Sequence, residues 1–203
     1  GEPMMRNTAP AIGAAAAWFA ARGGDPAFAV LPADHAIDDE AGFAADLERA
    51  FGVAERDRVL ITFGIPPATP DTNFGYIRAG AKLADRLHRV AQFEEKPDHA
   101  TAERYLASGG YSWNAGIFVW RSSVFFDALE AGRPALAGPL RGLAAHADPA
   151  AFERALNGVF PGLESISVDY AVMEQAPNAV VLEASFDWDD LGSWSAWART
   201  QPR

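Results

Sequence analysis

The order of two short apolar runs around a helical segment constrains this chain more than any other feature. Ala27 to Leu31 and Arg58 to Gly64, the latter written RVLITFG, both have the pattern of buried strands. Between them Phe43, Leu47, Ala50, Phe51 and Ala54 share one face at helical spacing, and Asp38 is the expected cap of that helix. Strand, helix and strand joined by short turns predict parallel strands, because a parallel connection needs a crossover element and a helix usually supplies it. The first half therefore reads as α/β.

The flanking segments extend this pattern. Asn7 and Thr8 stand just before Pro10, so a cap and a first-turn proline open a helix running to about Arg22, where Gly23 and Gly24 stop it. Ile65 to Asn73, with three prolines and two threonines, is an irregular loop, and strand-like runs follow at Phe74 to Ala79 and His88 to Glu95. Asp98 opens a helix that ends near Gly109 and Gly110, and Gly116 to Trp120 is a further strand. Ser122 to Gly158 is rich in alanine and leucine at helical spacing and offers packing without distinctive chemistry. A short helix over Tyr170 to Gln175 capped by Asp169, a strand over Ala179 to Glu183 and a last helix over Gly192 to Thr200 complete the reading. No repeat or low-complexity linker divides the 203 residues, so one domain is expected.

Composition removes several classes of function. The chain has no cysteine, which excludes disulfides, thiolate metal sites and a cysteine nucleophile, and agrees with a reducing cytoplasm. A formal net charge of −10 opposes broad binding to nucleic acid, which needs a field of lysines and arginines. No apolar run is long enough to span a membrane, and the alanine-rich stretch from Ala9 to Ala21 is broken by Gly13. A small phosphorylated ligand, held by a few local groups and a metal ion, stays open.

Four strings carry polar groups to places where a ligand could meet them, and each also has a plainer reading. Leu31-Pro32-Ala33-Asp34-His35 lies where a strand ends, the usual side for ligands in open α/β sheets; Asp34 could equally cap a turn. Phe186-Asp187-Trp188-Asp189-Asp190 gathers three carboxylates that repel one another unless solvent or a cation such as magnesium shares them; Asp190 could instead cap the helix carrying Trp194 and Trp197. Phe93-Glu94-Glu95-Lys96-Pro97 brings a carboxylate suited to sugar hydroxyls beside a lysine suited to phosphate, or is a solvated charge cluster. Adjacent side chains on a strand face opposite ways, so Glu95 and Lys96 can meet one ligand only if the strand is ending, as Pro97 allows. Trp113-Asn114-Ala115-Gly116 offers an amide that donates and accepts and a glycine that permits close approach, or a turn.

Taken in order, RNTAPAI at Arg6, LPADH at Leu31, TFGI at Thr62, FGYI at Phe74, FEEKP at Phe93, WNAGIF at Trp113, SVDYAVME at Ser167 and WDDLGSW at Trp188 resemble the mannose-1-phosphate guanylyltransferase family. The resemblance implies a Rossmann-like, GT-A-like nucleotidyltransferase fold with a mixed, mostly parallel central sheet flanked by helices. It implies transfer of GMP from GTP to mannose 1-phosphate, giving GDP-mannose and pyrophosphate. Asp34 and Asp190 would bind magnesium and act with Lys96, which would contact the phosphate of the sugar phosphate. Glu95, Asn114 and the backbone near Gly75 would hold the sugar hydroxyls, Asn7 and Thr8 would lie near guanine and ribose, and Asp169 would support the site from outside the metal or cap a helix. Expected partners are GTP and mannose 1-phosphate, with no nucleic acid or membrane; a homodimer is allowed, and the cytoplasm is the expected location.

Two alternatives stay beside this reading: a nucleotidyltransferase for another base or sugar, such as glucose 1-phosphate, and a noncatalytic sugar-phosphate or nucleotide-binding homologue. The family's opening strand and glycine-rich phosphate loop have no match in this chain, nor does a small C-terminal domain. Residues 1–203 are therefore expected to form a partial catalytic domain with little transferase activity by itself.

Overall fold

A computed structural model describes residues 1–192. In chain order the elements are α1 (Thr8–Ala20), β1 (Ala27–Val30), α2 (Glu40–Arg56), β2 (Leu60–Ile65), β3 (Tyr76–Ala84), β4 (Leu87–Glu94), α3 (His99–Ser108), β5 (Tyr111–Arg121), α4 (Ser122–Gly132), α5 (Pro134–Gly142), α6 (Pro149–Val159) and β6 (Ala179–Glu183). The helix expected over Gly192 to Thr200 lies, from Ser193 onward, outside the described residues. Among the described residues no helix is long and apolar enough to cross a membrane. The contacts divide the chain into two compact units.

The first unit, Gly1–Phe28, Ala54–Leu60 and Trp120–Ala179, is helical. Asn7, at φ 64°, accepts the Thr8 N–H on its side-chain oxygen at 2.8 Å, and Pro10 lies in the first turn of α1. Ala9, Ile12, Ala16 and Ala17 are buried, and α1 packs on α4 and α5 through small side chains that permit close approach. The start of α1 is tied to the SVDY segment: the Thr8 hydroxyl oxygen accepts the Val168 N–H at 2.8 Å, and the Ala9 N–H donates to the Ile166 carbonyl at 3.1 Å. Asp169–Met173 is a π-helical turn whose cap residue is Val168, so Asp169 lies inside the first turn and does not cap a helix as expected. The wider turn, with the Glu174 N–H reaching the Asp169 carbonyl at 3.0 Å, moves the start back by a residue.

The second unit, Ala29–Val53, Ile61–Val119 and the residues from Val180, holds most of a six-stranded sheet in the order β1-β5-β2-β6-β4-β3, with β3 also paired to β5. β2 is buried along its whole length, as its unbroken apolar run predicts. The sheet is mixed, but the expectation of mostly parallel strands is corrected. β2 with β5, β3 with β4, β3 with β5 and β4 with β6 all run antiparallel. The reason is local. β3 and β4 form a hairpin turning at Asp85 and Arg86, the latter at φ 50°, which needs no crossover helix. β5 inserts between β1 and β2, so a helix between two strands did not make them neighbours.

Two helices pack on this sheet. Phe43 of α2 meets Phe186 at 5.1 Å between ring centroids, and Phe186 in turn meets Phe63 of β2 at 6.0 Å. The α2 N-terminus is capped by Asp39, whose Oδ1 accepts the Gly42 N–H at 3.0 Å, one residue later than the cap expected at Asp38. α3 starts at Asp98, which accepts the Thr101 N–H at 2.7 Å, and ends at Gly109 with φ 69°, as expected.

Tyr105 of α3 stacks on Tyr111 of β5 at 3.9 Å, donates its hydroxyl to Glu94, and accepts from the Gln92 amide at 3.0 Å. Burial, reinforced by the Glu94 bond and charge, pushes its phenol up to about 12, so it stays protonated. Tyr105→Phe removes a donor to a carboxylate and is expected to cost about 1.5–3 kcal/mol, read by urea denaturation.

Candidate functional site

The strings around Asp34, Glu95 and Asp189 lie on loops at strand ends, whereas Asn114, expected just before a strand, lies inside β5. β4 finishes at Glu94, so Glu95 and Lys96 leave the strict strand alternation. Lys96 adopts φ 49°, a left-handed backbone uncommon for a non-glycine residue and further disfavoured before Pro97. The result is that both side chains come together: Lys96 Nζ lies 3.8 Å from Glu95 Oε1, with the lysine side chain 58% and the glutamate 11% exposed. Strain of this kind, on the order of 1–3 kcal/mol, gathers where a site demands a particular side-chain direction.

Gly75 and Asn114 belong to the same cluster. The Asn114 N–H donates to the Gly75 carbonyl at 2.8 Å. A Cβ at Gly75 would stand 2.6 Å from Glu95 Oε2 and 3.3 Å from Asn114 Cβ, so only glycine lets the backbone come this close. Asn114 is 8% exposed, and its Oδ1 accepts the Thr62 hydroxyl at 2.7 Å and the Gly116 N–H at 3.2 Å. With the amide oxygen so engaged, the amide nitrogen is the end directed to other partners. Gly116, at φ 67°, lies within β5 between Asn114 and Phe118, where the pairing with β2 shifts register. Thr62 of β2 is fully buried.

The acidic strings meet through the backbone. Ala36 and Asp189 form an antiparallel bridge with both main-chain hydrogen bonds, 2.8 and 3.0 Å. Asp34 therefore lies two residues before one member of the pair, and Asp190 one residue after the other. His35 between them accepts the Trp188 indole N–H on Nδ1 at 2.9 Å. Burial holds the His35 pKa below its usual value, and the charges of Asp34, Asp190 and Asp189 oppose that shift.

The three acids of the second string are not equivalent. Asp187 Oδ1 accepts the N–H groups of Asp38 and Asp39, at 3.0 and 2.8 Å, bracing the start of α2. Asp189 Oδ1 accepts the Leu191 N–H at 2.9 Å, and Asp190 Oδ1 accepts the Gly192 N–H at 3.1 Å.

Sequence reasoning named these loops but missed the aromatic wall connecting them. Trp113 meets Phe74 at 4.9 Å, Phe74 meets Trp188 at 5.3 Å, and Trp188 meets His35 edge-on at 5.1 Å. The available signal was the aromatic residues Phe74, Trp113 and Trp188 in FGYI, WNAG and FDWDD. Asn7 and Thr8 belong to the helical unit, where both are exposed and their side-chain oxygens hold backbone N–H groups.

The residue types fit magnesium. Two carboxylates are hard oxygen donors, and magnesium typically takes one or two of these plus substrate phosphate oxygens. Among the described residues no cluster of three or more histidines or carboxylates could form a self-sufficient metal cage. Asp34 and Asp190 are thus suited to a metal whose coordination the substrate completes.

A xanthan biosynthesis protein, XanB, of Xanthomonas campestris pv. campestris strain B100 is 46% identical over 199 residues, covering 96% of this chain and 41% of its own length. A mannose-1-phosphate guanylyltransferase of Klebsiella pneumoniae is 41% identical over 206 residues, covering all of this chain and 44% of its own. The chain thus spans about two fifths of the length of these curated relatives. A solved structure from Thermus thermophilus, described as a mannose-1-phosphate geranyltransferase, superposes with a TM-score of 0.86 at 33% identity, over 99% of this chain and 57% of that one. The nucleotidyl transferase family matches residues 1–202, nearly the whole chain. With a mixed sheet carrying acids and a lysine on its terminal loops and an amide within β5, and a family match of that extent, the chain belongs to the nucleotidyl transferase family.

Proposed function

We propose that the protein takes part in transfer of GMP from GTP to mannose 1-phosphate, releasing GDP-mannose and pyrophosphate. The observation that carries this reading is the clustering of Glu95, Lys96 and Asn114, a carboxylate, an ammonium and an amide, around the buried Gly75 backbone. These groups match a phosphorylated sugar: Glu95 and the Asn114 amide take hydroxyls, the bare Gly75 backbone lets those two side chains draw together, and Lys96 takes the phosphate. The guanylyltransferase of Klebsiella pneumoniae supports the choice of sugar and base.

The chemical difficulty is to bring two anions together before a bond changes. In the proposed reaction an oxygen of the sugar phosphate attacks the α-phosphorus of GTP in line, and pyrophosphate leaves. Lys96 offsets the repulsion and holds the attacking phosphate in place, and no protein nucleophile is required. Asp34 and Asp190 would hold magnesium, and when bound it supplies charge neutralisation for the transferring phosphoryl group. Asn7 and Thr8 are assigned to guanine and ribose by the resemblance and their exposed positions. The cysteine-free composition agrees with a cytoplasmic enzyme, and a homodimer remains part of the proposal.

The test is turnover with magnesium, in the protein as its gene encodes it, for GTP, ATP and UTP each paired with mannose 1-phosphate and glucose 1-phosphate. GDP-mannose formed fastest supports the reading; preference for another pair reassigns the base or sugar; binding without turnover assigns a binding protein. Gly75→Ala sharpens the sugar assignment. The new Cβ meets the end of a flexible side chain, so folding survives, but the Glu95 carboxylate must move. KM for mannose 1-phosphate is expected to rise about ten-fold, the equivalent of one hydrogen bond, with kcat changed much less.

A further inference from the structure

We propose that His35 and Trp188 form a clasp that sets the spacing of Asp34 and Asp190, which makes them positioning residues for the metal-dependent step. This rests on the assignment of those two aspartates to magnesium given above.

The geometry is specific. The Trp188 indole N–H donates to His35 Nδ1 at 2.9 Å, and the two rings stand perpendicular, 89° apart with centroids at 5.1 Å. His35 sits between Asp34 and Ala36, while Trp188 sits between Asp187 and Asp189. The main chains of the two loops meet in one isolated bridge, Ala36 with Asp189. One pair of residues defines a contact but resists rotation about it poorly; a second tie beside it stops the pivot. The indole–imidazole bond supplies that tie, and Asp187, bonded to the N–H groups of Asp38 and Asp39, supplies a third. Behind the clasp, Phe74 backs Trp188 at 5.3 Å and Trp113 backs Phe74 at 4.9 Å, so the indole has a fixed wall to rest on.

A pair that only filled space would not need a matched donor and acceptor. A half-buried indole N–H requires an acceptor, and the imidazole meets it at the one nitrogen that faces it. Magnesium demands near-ideal octahedral geometry, so a change in the spacing of two carboxylate ligands weakens binding even when both carboxylates remain. Groups that orient metal ligands typically contribute about 10–100-fold in affinity.

The experiment uses the protein as its gene encodes it, with manganese as the spectroscopic probe for magnesium. Manganese binding in the presence of GTP is followed by electron paramagnetic resonance, and the magnesium dependence of turnover is measured in parallel. His35→Leu and Trp188→Phe are each expected to weaken manganese binding about ten-fold or more, with far-UV circular dichroism unchanged. His35→Asn keeps an acceptor near the Nδ1 position and is expected to recover affinity to within about three-fold of wild type. The double variant is expected to be no weaker than the singles, because all three break one bond.

Wild-type affinity in a folded Trp188→Phe, failure of His35→Asn to rescue, or additive losses in the double variant would overturn the clasp. Should His35→Leu not fold, Trp188→Phe and His35→Asn decide the matter. A wild type that neither binds manganese nor transfers a nucleotidyl group sinks the functional reading and the clasp together. An active wild type with unmoved variants sinks the clasp alone.

Discussion

Asp190→Asn, made in the protein as its gene encodes it, is expected to lower magnesium-dependent kcat by about a thousand-fold, and Asp34→Asn by a similar factor. The magnitude is that of removing one group directed at transition-state charge. Asparagine keeps the shape and one acceptor oxygen, so residue 190 should still receive the Gly192 N–H and the loop should keep its course. What disappears is the negative charge that a hard cation requires. Asp187→Asn is the matched control, since its remaining oxygen can still accept the N–H groups of Asp38 and Asp39. Its kcat is expected to stay within about ten-fold of wild type, while Asp187→Ala should lose about 1 kcal/mol of stability as a lost cap does. Equal losses in Asp187→Asn and Asp190→Asn, measured as kcat against magnesium concentration, would remove the distinction drawn among the three acids.

The second large effect is on stability. Asp46 in α2 is 1% exposed and accepts both terminal nitrogens of Arg86, at 2.6 and 3.0 Å, together with the Ser185 N–H at 2.7 Å and its hydroxyl at 2.9 Å. One carboxylate therefore joins α2, the β3–β4 turn and the segment that leads into Asp187. Asp46→Ala leaves these donors without their acceptor. We expect it to cost about 3 kcal/mol, the low end for a broken buried pair because the Arg86 side chain is 30% exposed. Against a total of roughly 5–15 kcal/mol this is a large fraction, and urea denaturation reads it directly.

The same group predicts a pH dependence. Burial pushes the Asp46 carboxyl up, but the Arg86 pair and the two Ser185 bonds outweigh it and hold the folded-state pKa below the usual value. The unfolded chain then binds the proton more tightly than the folded one, so stability rises with pH through this window. The contribution is complete above about pH 4, the ordinary aspartate value, and is lost as pH falls through the depressed folded value. Asp46→Asn should flatten this part of an acid-unfolding curve. An unchanged slope between wild type and variant would show that Asp46 does not set it.

Much of the local structure was legible because its causes are local. Asn7 before Thr8 and Pro10, Asp98 before Thr101, and Gly109 after Ser108 act within one turn, and the ends of α1 and α3 follow from them. The apolar runs of β2 and β6 were equally plain, since a strand buried on both faces leaves no polar alternation. Caps one residue apart were not separable: Asp38 and Asp39 are chemically identical, and the choice was made by Asp187, 148 residues away, accepting both N–H groups. Asp46 was invisible for the same reason. It sits beside apolar positions on a helix, where an acid ordinarily faces water, and its partners Arg86 and Ser185 are distant in sequence.

Sequence by itself determined that the chain is α/β, that Pro97 ends the FEEK strand, and that acids and a lysine fall on loops at strand ends, while Asn114 turned out to lie within β5. Those follow from side-chain period, from proline's missing N–H and from turn chemistry, all short-range. Only the tertiary structure decided strand direction, because antiparallel pairing of β5 with β2 and β3 depends on where a strand arrives after its loop. It also decided which loops meet: the Ala36–Asp189 bridge, the His35–Trp188 bond and the approach of Gly75 to Glu95 and Asn114 join residues up to 153 positions apart. No periodicity spans such a distance, and only packing brings those groups to one place.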